Sequence, residues 1–255
     1  MSRIVTYRIT SISSTCIAPK GYEIVNVLSW HDYDTIYYQC SPYYLKTDGK
    51  EEQQNDGNVL FENFWQGSKV YPIVYPIEVY SHYTRKGNPN YLWFQWKTEN
   101  KTYDTNTDKV TDDYFKWRKA LWDCKKPIRY PNGMNRRTEC KFSLLVPGVS
   151  SDKTEIRLNY IESRNRIYCK EYKRLVRNLE VYKKLLTNLK CNPNLKICIC
   201  EIDVPCPSKK GNYKCNELFY ECTLDNLNVL KNDPSEAFGH GLCLAESILE
   251  DLIIN

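Results

Sequence analysis

The chain has 255 residues, of which 42% are hydrophobic and 26% are charged, and its net charge is +5. These proportions are typical of a globular protein, and no apolar run approaches the roughly 18 residues that a membrane-spanning helix needs. The first residues, MSRIVTYRITSISS, alternate apolar with polar side chains and lack the continuous apolar core of a signal peptide. We therefore expect an intracellular protein that has no membrane as a partner.

The twelve cysteines favour buried, reduced thiols. A secreted disulfide scaffold would be short and would follow a signal peptide, and the chain offers no CxxC pair for a zinc ion. Cys198 and Cys200 lie two residues apart in an apolar segment, so both side chains are expected on the same side of one strand. Structural zinc is the alternative interpretation.

The chain begins with two predicted strands and a polar loop. Val5, Tyr7 and Ile9 alternate with polar residues, which is typical of a strand. Residues 23–30 form a second apolar run that is expected to pair with the first or with a neighbour. Residues 46–58 are polar and contain two Asp-Gly pairs, which predict a loop or a hairpin tip.

The segment ENFWQGSKVY, residues 62–71, predicts a helix that ends near Pro72 and has two organised faces. At helical spacing, one face carries four residues able to grip a small polar ligand: Glu62, Trp65, Gln66 and Lys69. The opposite face carries the residues expected to pack inward: Leu60, Phe64, Gly67 and Tyr71. The alternative is that the polar face is an ordinary solvated surface with one exposed tryptophan.

Two features follow in the middle of the chain. Residues 73–97 mix β-branched and aromatic residues with Pro and Gly, which indicates irregular strands. Thr111, Asp112 and Asp113 then offer a cap for a helix with the sequence YFKWRKALW, which Pro127 is expected to end.

A long amphipathic helix of about nine turns is predicted next. Its apolar residues repeat at spacings of three, four and seven: Ile161, Tyr168, Tyr172, Leu175, Leu179, Tyr182, Leu186 and Leu189. Arg164 lies within this apolar stripe, and a buried arginine needs a carboxylate, a carbonyl or an anionic ligand beside it. Arg164 is therefore a candidate site residue.

The same region is strongly basic. Residues 155–190 hold ten Lys or Arg against four Glu, a net charge of +6, so the rest of the chain is close to neutral. A basic helix can follow a phosphate backbone, which makes nucleic acid a candidate partner, and it can equally form a solvated outer face.

The C-terminal part predicts a central strand and a final helix. The run KICICEIDV, residues 196–204, is a buried strand that ends near an acid, Asp203. Gly239, His240 and Gly241 open the last helix, where backbone N–H groups favour an anion such as phosphate. The alternatives are a turn acid for Asp203 and a polar cap for His240.

These elements predict one α+β domain over residues 1–255. A small mixed sheet is expected to be packed by several helices, including the long amphipathic one. Irregular insertions are expected near residues 73–109 and 204–222.

The candidate chemistry depends on carboxylates. Phosphate-binding loops, HExxH and GxSxG are absent, and none of the three histidines is paired at ligand spacing, so neither a metal nor a cofactor is expected. Glu62 could activate a water or stabilise an oxocarbenium-like transition state as a sugar–base bond breaks, with Asp203 as a second carboxylate. Lys69 and Arg164 could hold phosphates, and Trp65 could stack on a base or ribose.

Two resemblances extend this interpretation. SPYYLKTDG followed by FENFWQGSKVY is similar to the NADAR family pattern of an LSNFYP-like segment, a DG turn and an EHYYQxxK helix. The chain also resembles a family shared by bacteria and large viruses, whose motifs are ENxWQxSKVYP, a WR pair, RYPMG, YIEARKxIYxxxY and GHxxxLA. Here these motifs correspond to residues 62–72, 117–118, 129–133, 160–172 and 239–245.

The NADAR resemblance implies a metal-independent N-glycosidase that acts on ADP-ribose-type adducts or related nucleotides. Glu62 would take the place of the family's essential glutamate, and Gln66 and Lys69 match the Gln and Lys that follow it. The full set of candidate substrate-binding residues is Trp65, Gln66, Lys69, Arg129, Glu162, Arg164 and His240. The expected location is the cytoplasm, or the host cytoplasm or virion if the chain is viral. The alternative function is a nucleic-acid-binding or virion-associated protein without catalysis, which would use the basic segment 155–190.

Overall fold

A computed structural model describes residues 2–9, 15–28, 35–50, 52, 55–80, 89–130, 138–145, 155–204, 215–216 and 219–253. The chain forms two compact units. The sheet unit comprises Met1–Leu45 and Arg164–Asn255, and the Glu62 unit comprises Lys46–Ser163.

The described chain contains strands and helices in irregular alternation. The strands are β1 Ile4–Arg8, β2 Glu23–Asn26, β3 Lys69–Val70, β4 Ile73–Val74, β5 Ile77–Tyr80, β6 Leu92–Trp96, β7 Asn100–Lys101, β8 Tyr103–Asp104, β9 Lys109–Val110, β10 Phe142–Leu145, β11 Ile156–Leu158, β12 Ile197–Glu201, β13 Cys215–Asn216 and β14 Phe219–Glu221. The α-helices are α1 Phe61–Gly67, α2 Asp112–Asp123, α3 Tyr160–Ser163, α4 Lys170–Val176, α5 Glu180–Cys191, α6 Leu224–Lys231 and α7 His240–Ile253. None of these helices is both long and apolar enough to cross a bilayer.

A mixed five-stranded sheet organises the sheet unit, with strand order β13-β14-β1-β12-β2. β1, β12 and β2 are parallel, while β14 runs antiparallel to β1. Every residue of β12 is buried, as the apolar run ICICE predicts for a central strand, and α7 packs against β12 and β1. The predicted α+β class and mixed sheet are confirmed.

The prediction of one uninterrupted helix of nine turns is wrong. Residues 164–169 are π-helical, α4 ends at Val176, and α5 begins only at Glu180. Asn178 and Leu179 close the last turn of α4 with short-range hydrogen bonds to Leu175 and Val176, and Leu179 is extended. The apolar spacing continues across this break because α4 and α5 both pack against α7.

The Glu62 unit combines α1 and α2 with short antiparallel strand pairs. β3, β10 and β11 form one sheet, and residues 73–110 supply the pairs β4–β7, β5–β6 and β8–β9, so the strands expected from residue 73 onward are present. The predicted loop at 46–58 is closed by a bridge between Lys46 and Leu60. Most of the expected insertion at 204–222 lies outside the described residues.

Helix α1 is shorter than residues 62–71. Ser68 ends it, since the Ser68 hydroxyl donates to Trp65 O (2.8 Å), and Lys69 already belongs to β3, where Val70 pairs with Phe142. Lys69 therefore lies beyond the end of the helix. The prediction from helical spacing, which placed Lys69 on the polar face of the helix, is wrong for this residue. The apolar side is as predicted, because Leu60, Phe64, Gly67 and Tyr71 are all buried.

A close contact between α1 and α2 depends on a glycine. A Cβ atom at Gly67 would lie 2.6 Å from Trp122 Nε1 and 3.5 Å from Arg118 Cγ. The Arg118 guanidinium in turn lies 4.2 Å from the centre of the Trp122 ring. The two helices can approach this closely only where no side chain separates them.

Replacing Gly67 by Ala is expected to lower the free energy of unfolding by about 1–3 kcal/mol, because an added methyl group overpacks this contact. Urea denaturation monitored by tryptophan fluorescence measures the change. Lys119→Ala on the exposed side of α2 is the matched control and is expected to change stability by less than about 0.5 kcal/mol. Equal stability of Gly67→Ala and the wild type would contradict the packing argument.

Candidate functional site

The polar side of α1 is a hydrogen-bonded chain rather than a solvated surface. Gln66 Nε2 donates to Glu62 Oε1 (2.9 Å), and Lys69 Nζ donates to Gln66 Oε1 (2.9 Å). Glu62 and Gln66 are only 7% and 8% exposed, whereas Trp65 and Lys69 are partly exposed. The alternative of an ordinary solvated face is therefore wrong for the acid and the amide.

The carboxylate of Glu62 is held through one of its two oxygens. Besides Gln66, the Arg129 guanidinium approaches Oε1, with Nε at 4.0 Å. Oε2 accepts no hydrogen bond from the residues that the structure describes, and 9% of the side chain is exposed. This geometry orients the carboxylate and leaves Oε2 able to act on another molecule.

Two cations and an aromatic ring are connected to this acid directly or through Gln66. Lys69 Nζ lies 4.6 Å from the centre of the Trp65 ring, a cation–π distance. The Arg129 side chain is 47% exposed. Glu62, Trp65, Gln66, Lys69 and Arg129 thus form one group of side chains, which we call the Glu62 cluster.

Asn63 holds this cluster together, although the sequence analysis did not single it out. Its Nδ2 donates to Cys124 O (3.0 Å) and Lys126 O (2.9 Å), and its Oδ1 accepts from Ile128 N (2.7 Å). These bonds attach residues 124–128 to α1 and so bring Arg129 beside Glu62. The sequence offers only a weak signal for this role, an amide followed by a distant Pro-containing turn.

A second charged group lies in the sheet unit, at the carboxyl end of β12. His240 Nδ1 is 2.8 Å from Glu201 Oε2, and His240 Nε2 is 3.0 Å from Val27 O. A carbonyl can only accept, so Nε2 carries a proton, and the carboxylate requires a second proton on Nδ1. His240 is therefore an imidazolium paired with a buried carboxylate.

The pKa values of this pair follow from that geometry. Burial alone would raise the pKa of Glu201, but the His240 charge and hydrogen bonds from His240, Gly241 and Ile202 lower it to about 2. Burial would lower the pKa of His240, but the Glu201 charge and hydrogen bond raise it above the usual value, with Asp203 adding a smaller effect.

The two glycines around His240 are explained by the same contact. A Cβ atom at Gly239 would lie 2.8 Å from Glu201 Cδ, and one at Gly241 would lie 2.9 Å from Glu201 Cβ. Gly241 N donates to Glu201 Oε2 (2.6 Å), so the start of α7 does attract an anion, as predicted. That anion is a side chain of the same unit, which favours the polar-cap interpretation of His240 over phosphate binding.

Asp203 is not the carboxylate at the centre of this group. Its side chain is exposed, and its backbone carbonyl accepts a hydrogen bond from Gly239 (2.8 Å). Glu201, two residues earlier, is the buried acid. An acid inside the apolar run KICICEIDV was the available signal for it.

Arg164 and Glu162 both bond to other parts of the protein backbone or to a capping partner. Arg164 is buried, and its guanidinium donates to the backbone carbonyls of Leu230, Lys231, Asp233 and Glu236. Of the three partners considered for it, carbonyls are the ones found among the residues that the structure describes, and they give no support to a phosphate at Arg164. Glu162 is exposed and forms a reciprocal pair of hydrogen bonds with Asn159 at the start of α3, a capping box.

Metal ligation has no support among the described side chains, which contain no group of three or more His, Cys, Asp or Glu able to hold an ion. The ten cysteines whose side chains are described carry no disulfide, and six of them are buried. Buried thiols are thus the rule in the described part of the chain.

Two of the three histidines, His31 and His82, lie outside the described residues.

The Glu201–His240 pair is expected to make stability depend on pH. The contribution of His240, whose pKa is raised above 6.5, is fully present below pH 6.5 and is lost as the pH rises through the raised value. The contribution of Glu201 is present above pH 4.5 and is lost as the pH falls towards 2. Urea denaturation from pH 2 to 10 measures both limbs.

His240→Gln and Glu201→Gln each leave one buried partner without its counter-charge, and each is expected to cost about 3–5 kcal/mol near pH 6. The loss of stability above pH 6.5 should be absent from His240→Gln. An unchanged alkaline limb in that variant would show that another group causes it.

Comparison with protein-family models, with curated proteins and with solved structures finds no match for this chain. The arguments for function therefore come from the residues and from the geometry of the Glu62 cluster.

Proposed function

We propose that this protein is a metal-independent hydrolase that cleaves an N-glycosidic bond in an ADP-ribose-type or related nucleotide adduct. The observation that carries the proposal is the state of Glu62, a buried carboxylate whose Oε1 is engaged by Gln66 and faces Arg129. Its Oε2 has no hydrogen-bond donor among the described residues. The similarity of ENFWQGSKVY to the NADAR helix motif supports the same assignment.

Polar and cationic side chains engage the Glu62 carboxylate. The Gln66 amide donates a hydrogen bond to it, Arg129 supplies a positive charge nearby, and Lys69 polarises the amide from its other end. A carboxylate held in this way stabilises positive charge at the anomeric carbon of a ribose as the bond to nitrogen lengthens. It can also accept a proton from the attacking water as the water oxygen bonds to carbon and the C–N bond breaks, and that proton then passes to the departing nitrogen.

The partly exposed members of the cluster supply binding. Lys69 and Arg129 are cations suited to phosphate oxygens, and the amphipathic Trp65 ring is suited to stacking on a base or ribose. A nucleotide that carries both a ring and phosphates matches this combination better than a neutral sugar does. Gln66 connects the binding cation to the reacting carboxylate.

The proposed site contains only the Glu62 cluster. Glu162 forms a capping pair with Asn159, Arg164 donates to backbone carbonyls of residues 230–236, and His240 is paired with Glu201. Asp203 is an exposed acid of the sheet unit and has no part in the proposed reaction. The proposed mechanism therefore uses one carboxylate.

The nucleic-acid alternative receives less support from the basic segment 155–190. Within the described part of the chain, five of its ten lysines and arginines form ion pairs with carboxylates: Arg157, Lys173, Arg174, Arg177 and Lys183. Arg164 is turned to backbone carbonyls. Much of the +6 charge is thus engaged within the described chain, and less of it is available to a phosphate backbone than the sequence suggests.

Glu62→Gln is expected to reduce turnover of ADP-ribosylated substrates by about 10²–10⁴-fold, because the amide can neither accept a proton nor balance a cation. Release of ADP-ribose from modified DNA, RNA and protein, measured by liquid chromatography, tests this expectation. Glu180→Gln, an exposed glutamate with a surface lysine partner, is the matched control and should keep wild-type turnover. Full turnover by Glu62→Gln would refute the proposal.

ADP-ribose is expected to raise the melting temperature of the wild type, because a ligand that binds only the folded state stabilises it. Trp65→Ala and Lys69→Ala should each reduce this shift by removing a ring or a cation from the cluster. NAD and short oligonucleotides serve as comparison ligands. A shift by oligonucleotides alone that disappears at high salt would favour the nucleic-acid alternative.

A further inference from the structure

A group of three thiols lies on one face of the parallel part of the sheet. Ile199 and Glu201 of β12 face α7, since both come within about 3.1 Å of a Cβ atom placed at Gly241. Side chains alternate along a strand, so Cys198 and Cys200 face the opposite side. The segment that contains Cys16 lies over that side, where Cys198 Sγ donates to Ile17 O (3.4 Å).

Cys16 packs directly on the cluster that contains Cys200. Cys200, Ile9 and Leu28 form a small buried core, and Cys16 is one of the partly buried residues packed against it. Cys198 and Cys200 have no exposed surface, whereas Cys16 is partly exposed. The partly exposed Cys16 thus packs over the buried Cys200, although the two residues are far apart in the sequence.

A second thiol pair in the same unit differs in access. Cys169 and Cys243 have their sulfur atoms 3.4 Å apart, and both residues are buried. Reagents in solution reach neither of them in the folded protein. This pair serves as an internal control for effects that depend on exposure.

We propose that Cys16 and Cys200 are a peroxide-oxidisable pair that forms a reversible disulfide. In the first step, a hydroperoxide transfers one oxygen atom to the Cys16 sulfur, giving a sulfenic acid and, from hydrogen peroxide, one water. In the second step, the Cys200 sulfur attacks the Cys16 sulfur, the S–OH bond breaks, and the leaving hydroxide takes the Cys200 proton and becomes a second water. Each disulfide consumes one peroxide and two thiols, and a dithiol reductant reverses it.

The order of the two steps follows from access and acidity. Hydrogen bonds with Cys16 and Cys198, together with burial, raise the pKa of Cys200 far above its usual value, so Cys200 keeps its proton. A protonated, enclosed thiol is a poor first target for a peroxide. Cys16 is the accessible member, and its oxidation creates an electrophilic sulfur on a side chain that packs against the core containing Cys200.

The inference concerns the sheet unit and does not rest on the proposed function of Glu62. A disulfide can form in a protein that lacks glycosidase activity, and the reverse also holds. The two proposals therefore fail independently.

The test uses the reduced, full-length wild-type chain, treated with a small molar excess of hydrogen peroxide and then with N-ethylmaleimide. Peptide mass spectrometry without reduction should find Cys16 linked to Cys200 as the first disulfide, reaching one per chain and disappearing with dithiothreitol. Mapping on the wild type does not depend on any variant folding. Alkylation of Cys16 after full peroxide exposure, or its accumulation as sulfinic acid, would overturn the proposal.

Matched variants separate this pair from the other thiols. Cys16→Ser should abolish the disulfide, while Cys191→Ser, which removes an exposed and distant thiol, should leave its rate unchanged. Cys169→Ser should also leave it unchanged. A first disulfide between Cys16 and Cys198, or between Cys169 and Cys243, would contradict the assignment of Cys200.

Discussion

The three hydrogen bonds of Asn63 are the interaction on which the candidate site depends. A seven-residue helix such as α1 is too short to be stable alone, so tertiary contacts must hold it. Asn63 is buried and joins α1 to the backbone of residues 124–128. The same bonds that anchor the helix also position Arg129 at 4.0 Å from Glu62. Both the stability of α1 and the position of Arg129 therefore depend on the Asn63 side chain.

Charge is handled differently in the two units. In the sheet unit, Glu201 and His240 satisfy each other, and Arg164 is satisfied by carbonyls. Such groups contribute to structure because a buried charge without a partner is costly. In the Glu62 unit, one oxygen of a buried carboxylate has no donor among the described residues. A partly satisfied buried group is the feature that suggests chemistry on a bound molecule.

The local sequence pattern correctly predicted those helices and strands that neighbouring residues are sufficient to specify. The alternation in β1, the apolar run of β12, the helix after Thr111 and the glycine-led α7 all depend on neighbouring residues, and all are found. The long helix was predicted wrongly because α4 and α5 face a common partner, which preserves the apolar spacing across a break. Apolar periodicity indicates which residues are buried, but it does not indicate whether the backbone stays helical between them.

The sequence by itself determined the polar and apolar faces of α1, the buried strand β12 and the anion-attracting start of α7. Only the tertiary structure decided which polar groups find partners, because a side chain's partners come from segments far away in the chain. Arg164 donates hydrogen bonds to carbonyls of residues 230–236, and His240 forms an ion pair with Glu201. Cys16 packs against the cluster that contains Cys200. The Glu62 carboxylate has only Gln66 and Arg129 as polar side-chain partners among the described residues, and both approach Oε1. Because Oε2 has no donor there, Glu62 is the candidate for chemistry on a bound molecule.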